Sequence, residues 1–263
     1  MSILQAIILA IIEGVTEFLP VSSTGHMILA DSLMTVSNKE FVKTFEIAIQ
    51  LGAIMAVVVM YHKRFLIGIN IYLKLAVAFL PTGIIGFLAY KTIKEYLFNP
   101  ITVSVALIVG GVLLILLDKW SEKKQSVYEF TDDITYIGAL RIGFIQCFSM
   151  IPGVSRAAAT IFGGVFSGFN RVQAAEFSFL LAIPTMFAAT GYDLLKSKDN
   201  IHSQDLQILL IGGIVAFVFA LIAIKAFIAF LTKYGFKHFG YYRIALGILF
   251  LIISFSVGIK LNS

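Results

Sequence analysis

Glu13-Gly14-Val15-Thr16-Glu17-Phe18-Leu19-Pro20-Val21-Ser22-Ser23-Thr24-Gly25-His26 interrupts an apolar stretch that runs from Ile3 to Met34. A uniform stretch of that length would be one membrane crossing. This one stops at Pro20, which cannot continue a helix, passes through hydroxyls, a glycine and a histidine, and then resumes briefly. Neither piece reaches the about 20 residues needed to cross a hydrocarbon core of ~30 Å. Irregular backbone at membrane depth is tolerated only where protein or a wet cavity surrounds it. The stretch therefore reads as a re-entrant helix hairpin with a polar tip inside the protein.

A second stretch has the same form. Tyr136–Ile151 stops at Pro152-Gly153, passes Ser155-Arg156 and continues to Phe169. Laying Glu17–Ser23 over Ser149–Ser155 superimposes Pro20 on Pro152 and Ser23 on Ser155. Six other segments are long and apolar enough to cross: Phe41–Tyr61, Ile71–Tyr90, Ile101–Leu117, Ala174–Leu195, Leu206–Leu231 and Ile244–Ile259. Each half thus reads as a hairpin plus three spans. An odd number of crossings places the next unit upside down. The expected fold is an all-α integral membrane protein with an inverted-topology repeat, six transmembrane helices and two re-entrant helix hairpins meeting near the midplane. It forms a single membrane domain over 1–263, with repeat 1 at 1–118 and repeat 2 at 134–263. Glu46 and Glu176 occupy matching places and are expected to pair with, or orient, hairpin residues.

Composition agrees. The chain is 59% hydrophobic and 13% charged, with mean hydropathy +0.94, whereas soluble domains carry about a quarter charged residues. The net charge of +5 fits loop topology and anionic lipid heads, and no nucleic-acid partner is expected. A lone cysteine, Cys147, excludes an intrachain disulfide. The first segment lacks a basic n-region and a small-residue cleavage site, so it is expected to stay in the mature protein. Loop charges divide into one set at Lys63, Arg64, Lys74, Lys119, Lys123, Lys124, Arg171, Lys233, Lys237 and Arg243, and another at Lys39, Lys43, Lys91, Lys94, Lys196, Lys198 and Lys260. The first set is expected in the cytoplasm.

Ionisable groups at membrane depth are costly and mark function; here they gather in the broken stretches. Glu13 and Glu17, four apart, share a helix face and repel, which favours a bridging cation or a shared proton. Magnesium or calcium suits such oxygen ligands. Ser22 or Ser23 can cap the following helix, whose N-terminus also attracts phosphate, and Thr24 adds a hydroxyl. His26, one turn from Ser23, is a candidate acid or base toward Ser23 or a water. In the second tip, Gly153 admits close approach, Ser155 and Thr160 add donors, and Arg156 offers a planar fork for phosphate oxygens. Gln146 and Ser149 are either ligands or contacts between helices.

These motifs closely resemble the bacterial undecaprenyl-diphosphatase family, also called the bacitracin-resistance protein family. The resemblance rests on Glu13–His26, on Pro152-Gly153-Val154-Ser155-Arg156 with Ala157-Ala158-Ala159-Thr160, on Glu176–Pro184, and on Lys43–Glu46 with Ile49–Gly52. It covers essentially the whole chain; Ala157 departs from it, the family often having serine there. The resemblance implies hydrolysis of undecaprenyl diphosphate to the monophosphate carrier of cell-wall synthesis, a divalent cation, and a multi-pass protein of the bacterial inner membrane with its site toward the outer face. It makes Glu13 and Glu17 metal or base residues, Ser23 the nucleophile, His26 its helper and Arg156 the phosphate clamp. A metal-activated water stays open as the nucleophile. Expected partners are a prenyl diphosphate lipid and membrane lipids, with a homodimer among the allowed assemblies. The rival class is a transporter or lipid flippase, since inverted repeats with broken helices are also the transporter layout. Phosphate release in detergent, where no gradient exists, separates the two. A membrane scaffold would leave the buried Glu, His and Arg unexplained.

Overall fold

In a computed structural model the protein is described over residues 1–34, 39–66, 68–97, 99–122, 125–196 and 205–257. These residues form ten α-helices: α1 Ile3–Thr16, α2 Ser23–Leu33, α3 Lys39–Phe65, α4 Ile69–Leu97, α5 Pro100–Ser121, α6 Tyr136–Gln146, α7 Arg156–Phe166, α8 Arg171–Lys196, α9 Leu206–Tyr234 and α10 Lys237–Val257. Short 3-10 turns at Thr131–Asp133 and Cys147–Met150 precede and follow α6.

Six helices are long and apolar enough to cross a membrane, over Glu40–Phe65, Ile69–Ala89, Pro100–Ser121, Arg171–Leu195, Leu206–Tyr234 and Lys237–Phe255. They overlap all six segments read from the sequence, the last starting earlier, at Lys237 in place of Ile244, and the protein is a multi-pass membrane protein. Asn99-Pro100 marks the start of α5 as expected: Asn99 Oδ1 accepts from Thr102 N at 2.8 Å, and proline sits where its missing N–H costs nothing. α1 and α7 are apolar but too short to cross, at 14 and 11 residues.

The helices pack through small residues, which let backbones approach closely where lipid supplies no hydrophobic drive. α9 lies against both α1 and α3, α4 against α6, α7 against α8, and α5 against α10. Gly52 on α3 is one such contact. A Cβ there would lie 2.3 Å from the Gly213 carbonyl oxygen of α9. Gly52→Val is expected to lower stability by about 1–3 kcal/mol, read as a drop in melting temperature in detergent. Gln146, fully buried, ties three helices: its Nε2 donates to Thr82 Oγ1 at 2.7 Å and its Oε1 accepts from Thr185 Oγ1 at 3.4 Å. Of its two expected roles, it takes the helix contact.

At one end of the bundle Arg171 Nη2 meets Asp118 Oδ1 at 2.8 Å, and the same Oδ1 accepts the Phe236 N–H at 2.7 Å. Arg64 pairs with Asp132 at 3.9 Å and Glu176 at 3.7 Å, and Thr131 donates to Glu176. These partners place Glu176 at this end, away from the two tips, so it does not hold a hairpin residue as expected. Lys123, Lys124, Lys198 and Lys260 lie outside the described residues. Arg243 corrects the loop-charge reading outright: it is fully buried inside the bundle.

Candidate functional site

The two interrupted stretches build matching tips. In the first, Thr16 donates to the Ile12 carbonyl at 2.7 Å, the chain turns through Glu17–Val21, and α2 begins at Ser23. Its N-cap, Ser22, has φ +71°, and Ser22 Oγ accepts from Gly25 N at 3.3 Å. In the second, Pro152 and Gly153 lead to the N-cap Ser155 at φ +75°, whose Oγ accepts from Ala158 N at 3.2 Å. Gly153 is required twice over: its φ is +94°, and a Cβ would lie 2.6 Å from the Val103 carbonyl oxygen. Left-handed backbone at a non-glycine residue is costly and persists where the surroundings fix it; both tips carry it at the same cap position. The caps therefore match Ser22 with Ser155, one residue displaced from the match that the prolines give.

The tips meet. Arg156 Nη2 lies 3.5 Å from Glu17 Oε1, with both side chains mostly buried, and Nη1 donates to the Ser178 carbonyl at 2.9 Å. Its Nε is buried without a partner, and the guanidinium lies 5.8 Å from the Phe18 ring centre. Glu17 Oε2 accepts the Ser23 hydroxyl at 2.6 Å. Glu13 is 1% exposed, interacts directly with Glu17, and leaves Oε1 without a hydrogen-bond partner. A cavity of about 510 Å³ is lined by Glu17, Ser22, Ser23 and Thr24 from the first tip and by Pro152, Gly153, Ser155 and Arg156 from the second. Its other walls are largely apolar, with Phe79 and Phe87 of α4 and Met186 of α8, and Gln50 and Ser149 also face it.

This arrangement suits an anion. The N-termini of two helices border one cavity, each with first-turn N–H groups that have no intrahelical partner, and their dipoles favour negative charge there. The Arg156 guanidinium lines the same cavity. A carboxylate beside a hydroxyl at 2.6 Å can take that hydroxyl's proton.

Other expected residues fall elsewhere. Thr160 is buried and does not line the cavity: it donates to the Arg156 carbonyl at 2.9 Å and accepts from Ser178 Oγ at 2.6 Å, so it braces α7 on α8. His26 does not line the cavity, and its ring nitrogens bond elsewhere. Its Nδ1 bonds the Ser22 carbonyl at 2.8 Å and its Nε2 the Tyr242 hydroxyl at 2.6 Å. Glu46 lies in the electrostatic neighbourhood of Glu13. Sequence reasoning missed Ser178, Tyr242 and Arg243. The signal for Arg243 was present: it lies seven positions into the helix that begins at Lys237, and starting that span at Ile244 left it outside by one residue.

The buried, unpaired Glu13 oxygen next to Glu17 fits a hard divalent cation. Among the described residues no group of three or more His, Cys, Asp or Glu could hold a metal. Carboxylate oxygens of this kind are usual magnesium ligands; of Glu13 and Glu17, it is Glu17 that lines the cavity.

A family model described as bacitracin resistance protein BacA matches residues 6–249. An undecaprenyl-diphosphatase of Wolinella succinogenes is 53% identical over 251 residues, covering 95% of this chain and 98% of its own. One of Flavobacterium johnsoniae is 52% identical over 260 residues, 98% of each chain. One of Aquifex aeolicus is 49% identical over 250 residues, 94% of this chain and 96% of its own.

Proposed function

The chain belongs to the bacitracin resistance protein BacA family, and on that footing we propose that it hydrolyses undecaprenyl diphosphate to undecaprenyl phosphate and inorganic phosphate in the cavity between α2 and α7. The activity returns the lipid carrier to cell-wall synthesis and confers bacitracin resistance. One observation carries the assignment to this cavity: Arg156, two helix N-termini and the Glu17–Ser23 pair face the same space.

Phosphoryl transfer needs positioning and charge stabilisation more than covalent assistance. Arg156 and the first-turn N–H groups of α2 and α7 bind the diphosphate oxygens. Glu17 takes the proton of Ser23 as Ser23 Oγ attacks the terminal phosphorus. The bridging P–O bond breaks and undecaprenyl phosphate leaves. Water then cleaves the phosphoserine, releasing phosphate and restoring the hydroxyl. The apolar walls receive the first part of the prenyl chain, and the rest stays in lipid. Glu13 and Glu17 would hold a divalent cation, which supplies positive charge to the diphosphate.

The finer architecture belongs to the same proposal: an inverted repeat of 1–118 and 134–263, each a re-entrant hairpin plus three spans. Exchanging α1–α5 for α6–α10 supports it. The α1–α9 contact becomes α6–α4, α3–α9 becomes α8–α4, and α1–α2 becomes α6–α7, while α3–α8 and α5–α10 return to themselves. The basic end carrying Arg64 and Arg171 then faces the cytoplasm of an inner membrane, and the cavity opens outward.

The deciding experiment is phosphate release from detergent-solubilised protein on long- and short-chain prenyl diphosphates, with and without EDTA. Release is expected without any gradient. Chelation is expected to lower it by about a hundredfold or more, since metal charge contributes several kcal/mol to such transition states, and added Mg²⁺ or Ca²⁺ to restore it. No release from either substrate would overturn the assignment, and full activity after exhaustive chelation would remove the cation from it.

A further inference from the structure

We infer that α10 is the positioning element of this active site: Arg243 sets the separation of the two tips, and Tyr242, acting through His26, holds the first tip at Ser22. The inference rests on the reading of the cavity as the diphosphate site.

A guanidinium carries five N–H donors and no acceptor. All five of Arg243 are matched: Nε to the Leu107 carbonyl at 3.4 Å, Nη1 to Pro20 at 3.1 Å and Val154 at 2.9 Å, and Nη2 to Ala106 at 3.1 Å and Gly153 at 2.9 Å. No carboxylate is among these partners. Such a permanent charge, fully buried, is solvated by backbone dipoles, and those dipoles come from the first tip, the second tip and α5. Pro20 and Gly153 belong to opposite halves of the chain, and Arg243 joins them through one rigid plane. Gly110 makes the room, since a Cβ there would lie 2.2 Å from Arg243 Nη2. Lysine could not replace it, having three donors around a point rather than a flat fork.

The grip also orients the tip. A trans peptide directs its N–H opposite its C=O. Holding the Val154 carbonyl therefore turns the Ser155 N–H away from Arg243.

Tyr242, the preceding residue, reaches the first tip through His26. Its ring stacks on His26 with centroids 5.6 Å apart and 6° between planes. The Ser22 carbonyl can only accept, so the proton sits on His26 Nδ1, and Nε2 accepts from the Tyr242 hydroxyl. Both ring nitrogens are thus engaged, while the Ser23 hydroxyl is bonded to Glu17. His26 holds the strained Ser22 cap in place and does not act on Ser23.

The test uses full-length protein in detergent, with phosphate release from a prenyl diphosphate expressed per folded molecule. Arg243→Lys is expected to lower kcat by about tenfold or more while KM moves by less than about threefold, because misplaced tips lose transition-state contacts first. Tyr242→Phe keeps the stacked ring and loses one hydrogen bond; kcat is expected to fall about fivefold with the melting temperature unchanged. A purely structural role would lower the folded fraction and leave kcat per folded molecule intact, and that result overturns the inference. Should Arg243→Lys fail to fold, Tyr242→Phe decides, and wild-type kcat there overturns it. Arg156→Ala is the control. If Arg156→Ala still releases phosphate, the diphosphate site itself is misassigned; if it is inactive while both α10 variants match wild type, only the positioning role fails.

Discussion

Arg156→Ala is expected to lower kcat for phosphate release by about a thousandfold, the scale seen when a preorganised donor to a developing oxyanion is removed and equal to about 4 kcal/mol of transition-state stabilisation. The reason lies in how poorly the protein's own groups satisfy Arg156. Its ion pair with Glu17 is long at 3.5 Å, its Nε has no partner, and only Nη1 is well bonded, at 2.9 Å to the Ser178 carbonyl. Arg243 shows what a structural guanidinium looks like in this protein, with every donor matched. Arg156 is also largely buried, yet it lines the cavity with its donors only partly matched by the protein. Arg156→Lys should fall between wild type and alanine, keeping the charge and losing the fork. Melting temperatures in the same detergent separate this loss from misfolding, and an alanine variant within a factor of about ten of wild type would contradict the role, one donor alone being worth more than that.

The contrast between these arginines also shows what the sequence could and could not display. Spans were legible because the hydrophobic requirement of the bilayer writes itself into runs of apolar residues; all six matched. The tips were legible because Pro20 and Pro152 break such runs and polar residues follow. That Arg156 and Glu17 would be neighbours required the two stretches to meet, and the matching pattern implied it. Partners chosen by backbone carbonyls left no trace, since a carbonyl is present at every residue. Arg243 reads as one more basic residue near a helix start until its neighbours are known. The partners of His26 were hidden for a related reason: spacing of three from Ser23 suggested a pair, while the ring nitrogens bond the carbonyl of Ser22, which holds a left-handed cap, and the hydroxyl of Tyr242, from the far end of the chain. Glu176 was matched to Glu46 by sequence alone, and its partner Arg64 belongs to the opposite end of the bundle.

Glu17→Gln is expected to cost about 10³-fold in kcat, within the range for losing a general base, although it changes no heavy-atom shape. The two oxygens of Glu17 serve different partners. Oε2 accepts the Ser23 proton at 2.6 Å, and Oε1 faces Arg156 Nη2 at 3.5 Å. An amide can satisfy only one of them. With its nitrogen toward Ser23, the hydroxyl loses the acceptor that activates it; with its nitrogen toward Arg156, two donors confront each other in a buried space. Either way the negative charge beside a buried guanidinium is gone, and the carboxylate pair with Glu13 is reduced to one. Ser23→Ala supplies the decisive comparison. If Glu17 works through the serine hydroxyl, the double variant Glu17→Gln, Ser23→Ala should be no slower than the slower single variant, because residues acting as one unit are not additive. Multiplying losses would mean that Glu17 and Ser23 act independently, with Glu17 activating a water instead. The non-additive outcome is expected because the Ser23 hydroxyl already points its proton at Glu17 Oε2 across 2.6 Å, so removing either partner dismantles the same proton transfer.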